Sequence, residues 1–285
     1  PAIFTMLPAR LEAGGLRPLM TPTRRAPAIF TMLSALAASR SSLALRPLGV
    51  SAATSLGGGP LQYGRRPEVS SMAMSTGPTD AAGADGKPLK TIRWGIMGTG
   101  TIASDFVTVL NQLPGTEVVA VGSRSQSGAD RFGDKFKIPV RHSTYEDLAA
   151  DDSLDVVYIA TPSLRHVDDS IMCLDAGRAV LCEKSMAGNA ADTKLVLDLA
   201  REKQLFFLHG VWSRFFPAMS ELRRVIDSGE IGEVVSAHAS FCQNDGAGAC
   251  SATLETGIYC AQFIQWAMGG VAPESVEGVN FRLHE

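Results

Sequence analysis

An α/β protein built on a doubly wound parallel sheet is the fold class this sequence predicts, on three observations. From Lys90 onward, short apolar runs alternate with segments whose apolar residues recur every three or four positions. The connections between them are short, and the first run ends in a glycine-rich turn that opens a helix.

The runs Ile92–Met97, Glu117–Val121, Asp155–Ala160, Ala179–Cys182 and Leu205–Leu208 have the length and β-branched or aromatic content of strands, and Val140–His142 is a shorter candidate. Helices are expected near 101–111, 127–137, 144–150, 164–176 and 189–203, where pairs such as Ile171 and Leu174, or Leu195 and Leu199, fall on one face.

The first strand runs into Gly98-Thr-Gly100-Thr-Ile-Ala103, the G-x-G-x-x-A form of the dinucleotide fingerprint. In that reading Gly98 permits the tight turn, Gly100 lets a pyrophosphate approach the backbone, and Ala103 lets the helix pack close to the strand. Its place between a strand and a helix makes residues 90–210 a Rossmann domain. An NAD site carries an acid after the second strand to accept the ribose 2′-hydroxyl, but this chain reads Val121-Gly-Ser123-Arg124-Ser125. Arg124 pairs with a 2′-phosphate and Ser123 donates to it, so the predicted cofactor is NADP. The plainer alternative is a solvated surface arginine.

Composition narrows the rest. The 285 residues carry a net charge of −3, but residues 1–75 hold eight arginines, no lysine and only Glu12 and Glu68, a local balance of +6 that leaves −9 for the remainder. That acidic body argues against nucleic acid as a partner. The arginine-, serine-, alanine- and proline-rich leader has the composition of an organelle transit peptide, for a plastid or a mitochondrion, with a disordered leader as the alternative. Within it Pro1–Leu7 recurs letter for letter as Pro27–Leu33, without a third copy. Residues 76–89 read as a linker. The cysteines at 173, 182, 242, 250 and 260 form no C-x-x-C pair and read as buried thiols. The scattered histidines at 142, 166, 209, 238 and 284 offer no metal spacing, so no metal is expected, and no apolar run is long enough to span a membrane.

Four ordered motifs then bring a family into view. Thr161-Pro162-Ser-Leu-Arg-His166, Ala176-Gly-Arg-Ala-Val-Leu-Cys-Glu183-Lys184, Trp212-Ser-Arg214-Phe215-Phe216-Pro217 and Gly257-Ile-Tyr259-Cys-Ala-Gln262-Phe263 resemble the Gfo/Idh/MocA oxidoreductases over about residues 91–285. Within that family they look like the branch of NADP-linked enzymes that act on cyclic dihydrodiols and D-xylose. The resemblance implies cofactor contacts from Gly98, Gly100, Thr101, Ile102, Arg124, Thr161, Pro162, His166, Glu183 and Lys184, and it places Lys184 and Tyr259 beside the nicotinamide. It also implies that residues 211–285 are part of a second α/β domain, whose open, mostly antiparallel sheet carries the substrate cleft and a homodimer contact.

The chemistry fits these residue types independently. Oxidising a secondary alcohol needs a group to take the hydroxyl proton as hydride leaves, and a phenol beside an ammonium does this near neutral pH. Tyr259 and Lys184 are the catalytic pair so predicted; the alternatives are a core tyrosine and a surface lysine. His166 is read as a helix cap or a cofactor-side contact. Trp212, Phe215 and Phe216 either wall a substrate pocket or belong to the core, and Arg214 either orients substrate or is structural. Three departures from the family pattern stand out. Ser185 replaces the proline of Glu-Lys-Pro, leaving Lys184 less firmly held; Glu255 replaces an aspartate, its longer arm set to miss its partner; and the loop from Cys242 to Thr253 is short.

The reading is therefore an NADP-dependent dehydrogenase of CH–OH groups in a sugar, polyol or cyclic trans-diol. A weakly active or inactive NADP(H)-binding paralogue or redox sensor is the alternative, and reduction of another carbonyl or C=C substrate a third possibility. The sequence stops at Glu285, two residues past the expected strand Ser275–Leu283, so the second domain is read as truncated.

Overall fold

The computed structural model describes residues 91–242 and 250–278. The leader, the linker, residues 243–249 of the short loop, and residues 279–285 with most of the last expected strand lie outside the described residues.

Six parallel strands form one sheet: β1 (Ile92–Met97), β2 (Thr116–Gly122), β3 (Val140–His142), β4 (Val156–Ile159), β5 (Ala179–Glu183) and β6 (Phe207–Gly210). Their order is β3-β2-β1-β4-β5-β6. The chain reverses direction across the sheet between β1 and β4, the switch point at which doubly wound sheets open a crevice at their carboxyl edge. Helices α1 (Thr101–Leu110), α2 (Gln126–Phe136), α3 (Tyr145–Ala150), α4 (His166–Asp175) and α5 (Ala190–Glu202) connect the strands.

Strand periodicity explains how one sheet fills two cores. Trp94, Ile96, Val156, Tyr158 and Leu181 point to one face, where Phe106 and Leu110 of α1 and Phe132 of α2 cover them. Met97, Val157, Ile159, Val180 and Cys182 point to the other, against Leu148 of α3, Cys173 and Leu174 of α4 and Val196 of α5. Side-chain caps start the helices where the sequence places Ser, Thr or Asn: Ser125, Thr144 and Asn189 accept from the N–H groups of Gly128, Asp147 and Asp192.

Most boundaries fall within one residue of the sequence reading, and two elements differ by two residues. The last strand lies at 207–210 rather than 205–208 because α5 ends at Glu202, Gln204 takes a positive φ of 54° and Leu205 donates back to Ala200 O, so that 203–205 serve as the helix exit. A 3-10 turn at Ser163–Arg165 precedes α4, which starts at His166.

After β6 come a 3-10 turn (Trp212–Phe215) and helices α6 (Pro217–Asp227), α7 (Ala252–Glu255) and α8 (Gly257–Ala267). The expected antiparallel sheet of a second domain is not seen among the described residues: no described residue after Gly210 lies in a strand, Ser275–Gly278 included. The cysteines also divide. Cys173 and Cys182, packed on the sheet, and Cys260, on the inner side of α8, are buried, but Cys250 is half-buried and Cys242 exposed, because neither stands on a packed helix or strand. Among the described residues no helix is long and apolar enough to cross a membrane, and no three His, Cys, Asp or Glu side chains gather as a metal site.

Candidate active site

The turn after β1 is shaped for a phosphate backbone. Gly98 has a φ of 99°, and a Cβ there would sit 2.8 Å from Ala160 O, so both conformation and space require glycine. At Gly100, by contrast, an added Cβ would meet nothing within 4 Å, leaving the backbone open to a ligand. Gly100 caps α1 without a side-chain hydrogen bond, so the helix N-terminal N–H groups face outward beside it. Ala103 is fully buried, which permits the close helix–strand approach, while Thr101 is exposed and Ile102 half-buried at the start of the helix. These features fit a dinucleotide pyrophosphate.

At the end of β2, Arg124 is exposed and carries its charge toward Tyr145. Ser123 is buried; its N–H donates to His142 O at 3.1 Å, and its hydroxyl lies against Gly128 of α2. Burial raises the Tyr145 phenol, opposed by the positive charge of Arg124.

The loop after β4 is held from within. Thr161 donates its hydroxyl to Asp169 Oδ2 at 2.6 Å, so its side chain is turned into the protein, and Pro162 is exposed at the turn. His166 is buried, with Nδ1 2.6 Å from Ser185 O and Nε2 2.8 Å from Thr161 O. Its ring therefore ties the loop after β4 to the loop after β5.

The loop after β5 carries Lys184. Glu183 turns its carboxylate into the protein, where Oε1 accepts from Tyr158 at 2.7 Å and Oε2 from the Lys184 N–H at 3.1 Å. Burial pushes that carboxyl up, against both hydrogen bonds. Glu183 thus anchors the lysine backbone, and a cofactor contact from this position would come from main chain. The Lys184 Nζ donates to Glu255 Oε2 at 2.8 Å and to Glu255 O at 3.1 Å, and Ser163 donates to Glu255 Oε1 at 2.5 Å. The Ser185 hydroxyl donates to Leu254 O. Burial alone would raise Glu255, but the hydrogen bonds from Lys184 and Ser163 outweigh it and hold the carboxyl below its ordinary range.

Two expectations are corrected by these contacts. The longer arm of Glu255 reaches its partner, and Lys184 is held despite the missing proline. The hydroxyl that replaces the proline ring binds α7 and brings Glu255 to the lysine.

Tyr259 stands on α8 beside this cluster, its ring centre 6.0 Å from the Lys184 Nζ. The indole N–H of Trp212 donates to its hydroxyl oxygen at 2.7 Å, and Phe241 stacks on its ring at 5.5 Å. Trp212 and Phe215 are half-buried and pack against the core under β1 and β5, so they join the core to the site, while Phe216 meets Trp212 edge-on. Arg214 is exposed on the 3-10 turn. A cavity of about 360 Å³ shares Ser163 and Ser185 with the site but opens between α4 and α5, away from Gly98 and Tyr259; the polar cluster rather than the cavity marks the chemistry.

Sequence reasoning missed the hydroxyls of Ser163 and Ser185 as contacts to α7, and Tyr158 as the partner of Glu183. Ser163 and Glu255 are 92 positions apart, and no local pattern signals such a pairing.

Residues 92–210 match the Gfo/Idh/MocA family, described as an oxidoreductase family with an NAD-binding Rossmann fold. The chain is 43% identical over 204 residues to the mouse trans-1,2-dihydrobenzene-1,2-diol dehydrogenase, covering 68% of this chain and 61% of that enzyme, with the same figures for the human protein. The chain therefore spans about three fifths of the length of these curated relatives. A solved structure, the 3-ketoreductase KijD10 from Actinomadura kijaniata with NADP, shares 30% identity with a TM-score of 0.47, over 50% of this chain and 46% of that one.

Proposed function

From a chain that belongs to the Gfo/Idh/MocA oxidoreductases, we propose an NADP-dependent dehydrogenase that oxidises a CH–OH group of a sugar, polyol or cyclic trans-diol. The observation that carries the reading is the meeting of Lys184, Glu255 and Tyr259 beside a dinucleotide-shaped turn. The nicotinamide, when bound, supplies the hydride acceptor. The ionised phenol of Tyr259 takes the proton of the substrate hydroxyl, and the Lys184 ammonium, fixed by Glu255, supplies nearby positive charge that favours that ionised form. Glu183 and His166 act at one remove, fixing the backbone on either side of the lysine. Arg124 supports NADP over NAD, since no carboxylate follows β2 and its guanidinium is exposed where a 2′-phosphate would lie. A second domain completed by an antiparallel sheet, and a homodimer, belong to the same proposal, as does plastid or mitochondrial import through residues 1–75; a fusion of that leader to a fluorescent protein that stays cytosolic removes the import reading.

Fluorescence titration with NADPH and NADH tests the cofactor half. Arg124→Ala is expected to weaken NADPH binding by roughly tenfold or more while leaving NADH unchanged, as loss of a charge-assisted contact does. Equal loss for both nucleotides would sink the assignment. Turnover on D-xylose and on trans-dihydrodiols tests the substrate half, and tight NADPH binding with no turnover on the panel would instead favour a binding paralogue.

A further inference from the structure

Tyr259 does not meet Lys184 alone. Its hydroxyl oxygen lies 2.7 Å from the indole nitrogen of Trp212, and the two rings cross edge to face at 5.6 Å and 70°. Indole nitrogen is a donor only, so the direction of this hydrogen bond is settled: Trp212 gives and the phenol oxygen accepts. Trp212 is well placed to hold that geometry. It begins the 3-10 turn directly after β6, packs against the core beneath the sheet, and is braced by Phe216 at 5.1 Å. Among the described residues, the Lys184 ammonium, from the loop after β5, stands over the phenol ring and is paired in turn with the Glu255 carboxylate of α7. Phe241 presents only a ring face.

We infer that Trp212 is a positioning residue that tunes the proton-handling phenol: by donating to Tyr259 Oη it favours the ionised form and makes Tyr259 a better proton acceptor. The physical reason is that a donor fixed on an oxygen binds more strongly once that oxygen carries charge. In the oxidative direction the substrate O–H bond breaks and its proton forms the O–H of the ionised Tyr259 phenol, while a nicotinamide held by the glycine turn would accept the hydride that leaves the same carbon. Trp212 stays bonded throughout and neither gains nor loses a proton. This rests on the reading of Tyr259 as the group that takes the proton.

The test reads the phenol without needing turnover. The tyrosinate absorption of the whole chain, minus that of its Tyr259→Phe variant, isolates the titration of Tyr259 from the other three tyrosines. Trp212→Phe is expected to move that midpoint up by about one pH unit. Benzothienylalanine at position 212, which keeps the indole shape without the N–H, is expected to do the same and covers the case in which the phenylalanine variant misfolds. An unmoved midpoint with benzothienylalanine overturns the inference, whatever the activity. A shifted midpoint in a chain that oxidises no alcohol leaves the tuning in place and removes the dehydrogenase reading. Where the chain does turn over, the acid limb of kcat/KM is expected to move up by the same interval, whereas a purely packing role would lower the rate without moving the limb.

Discussion

Along β1 five of six residues are buried and both faces of the sheet carry a packed cluster, whereas α6, with a well-formed apolar stripe, buries none of its residues. The same contrast runs through the site. Gly98 is positioned by the close packing of the sheet and its loops, and Glu183 and His166 by buried hydrogen bonds made within that packed region. Glu255 and Tyr259, on helices after the sheet, are tied to it by directed polar contacts: Ser163 and Lys184 to Glu255, Ser185 to Leu254 O, Trp212 to Tyr259. Burial supplies stability in bulk but little directional information, while a hydrogen bond supplies a modest net energy and a strict geometry. The cofactor half is thus expected to fail by unfolding and the proton-handling half by detachment.

The largest effect is expected inside the sheet. Gly98→Val forces a β-branched residue to a φ of 99° and places its Cβ 2.8 Å from Ala160 O. A loss on the order of 4 kcal/mol, with loss of NADPH binding, is expected in chemical denaturation and fluorescence titration. A stable variant that still bound NADPH would break the comparison on its packed side.

His209, at the end of β6, is the next probe. Burial, assisted by the charge of His166, lowers it from 6.5 to about 4. Between those values the unfolded chain binds the proton and the folded chain does not, so stability rises with pH across that window. It is complete above about 6.5 and lost as pH falls toward 4, a span of about 3 kcal/mol. His209→Gln is expected to flatten this part of the stability–pH curve measured by urea denaturation, and an unchanged slope would refute it.

The smallest effect sharpens the other side. Ser163→Ala removes one hydrogen bond to Glu255 and is expected to cost about 1 kcal/mol. Hydrogen exchange should quicken in α7 while β1 stays protected. Because the Glu255 carboxyl is held below its ordinary value of 4.5, its share of stability is present above that value and lost as pH falls through the lower folded-state one. Acidification and Ser163→Ala should therefore loosen the same helix, and equal acceleration in β1 would show that the two regions are not independent.

Much of the sheet was legible in the sequence because a strand buried on both faces leaves a continuous apolar run and a crossover helix leaves a three-to-four spacing. The end of β6 was missed by two residues, since Phe206 and Leu205 are as apolar as the strand itself and only the turn at Gln204 decides where α5 stops. Gly98 was legible as an individual residue because a positive φ excludes side chains, and that exclusion is local.

The polar cluster was not legible in that way. Lys184, Glu255 and Tyr259 were named from motifs, but which atoms meet was decided by tertiary structure. The sequence by itself determined the parallel sheet, the phosphate-shaped turn and the arginine after β2, all consequences of short-range periodicity and backbone sterics. Only the tertiary structure decided that Ser163 and Ser185 hold α7 against the lysine loop and that Trp212 gives its N–H to Tyr259. Those partners lie 47 to 92 positions apart, and the energy of each contact depends on tenths of an ångström that no residue order records.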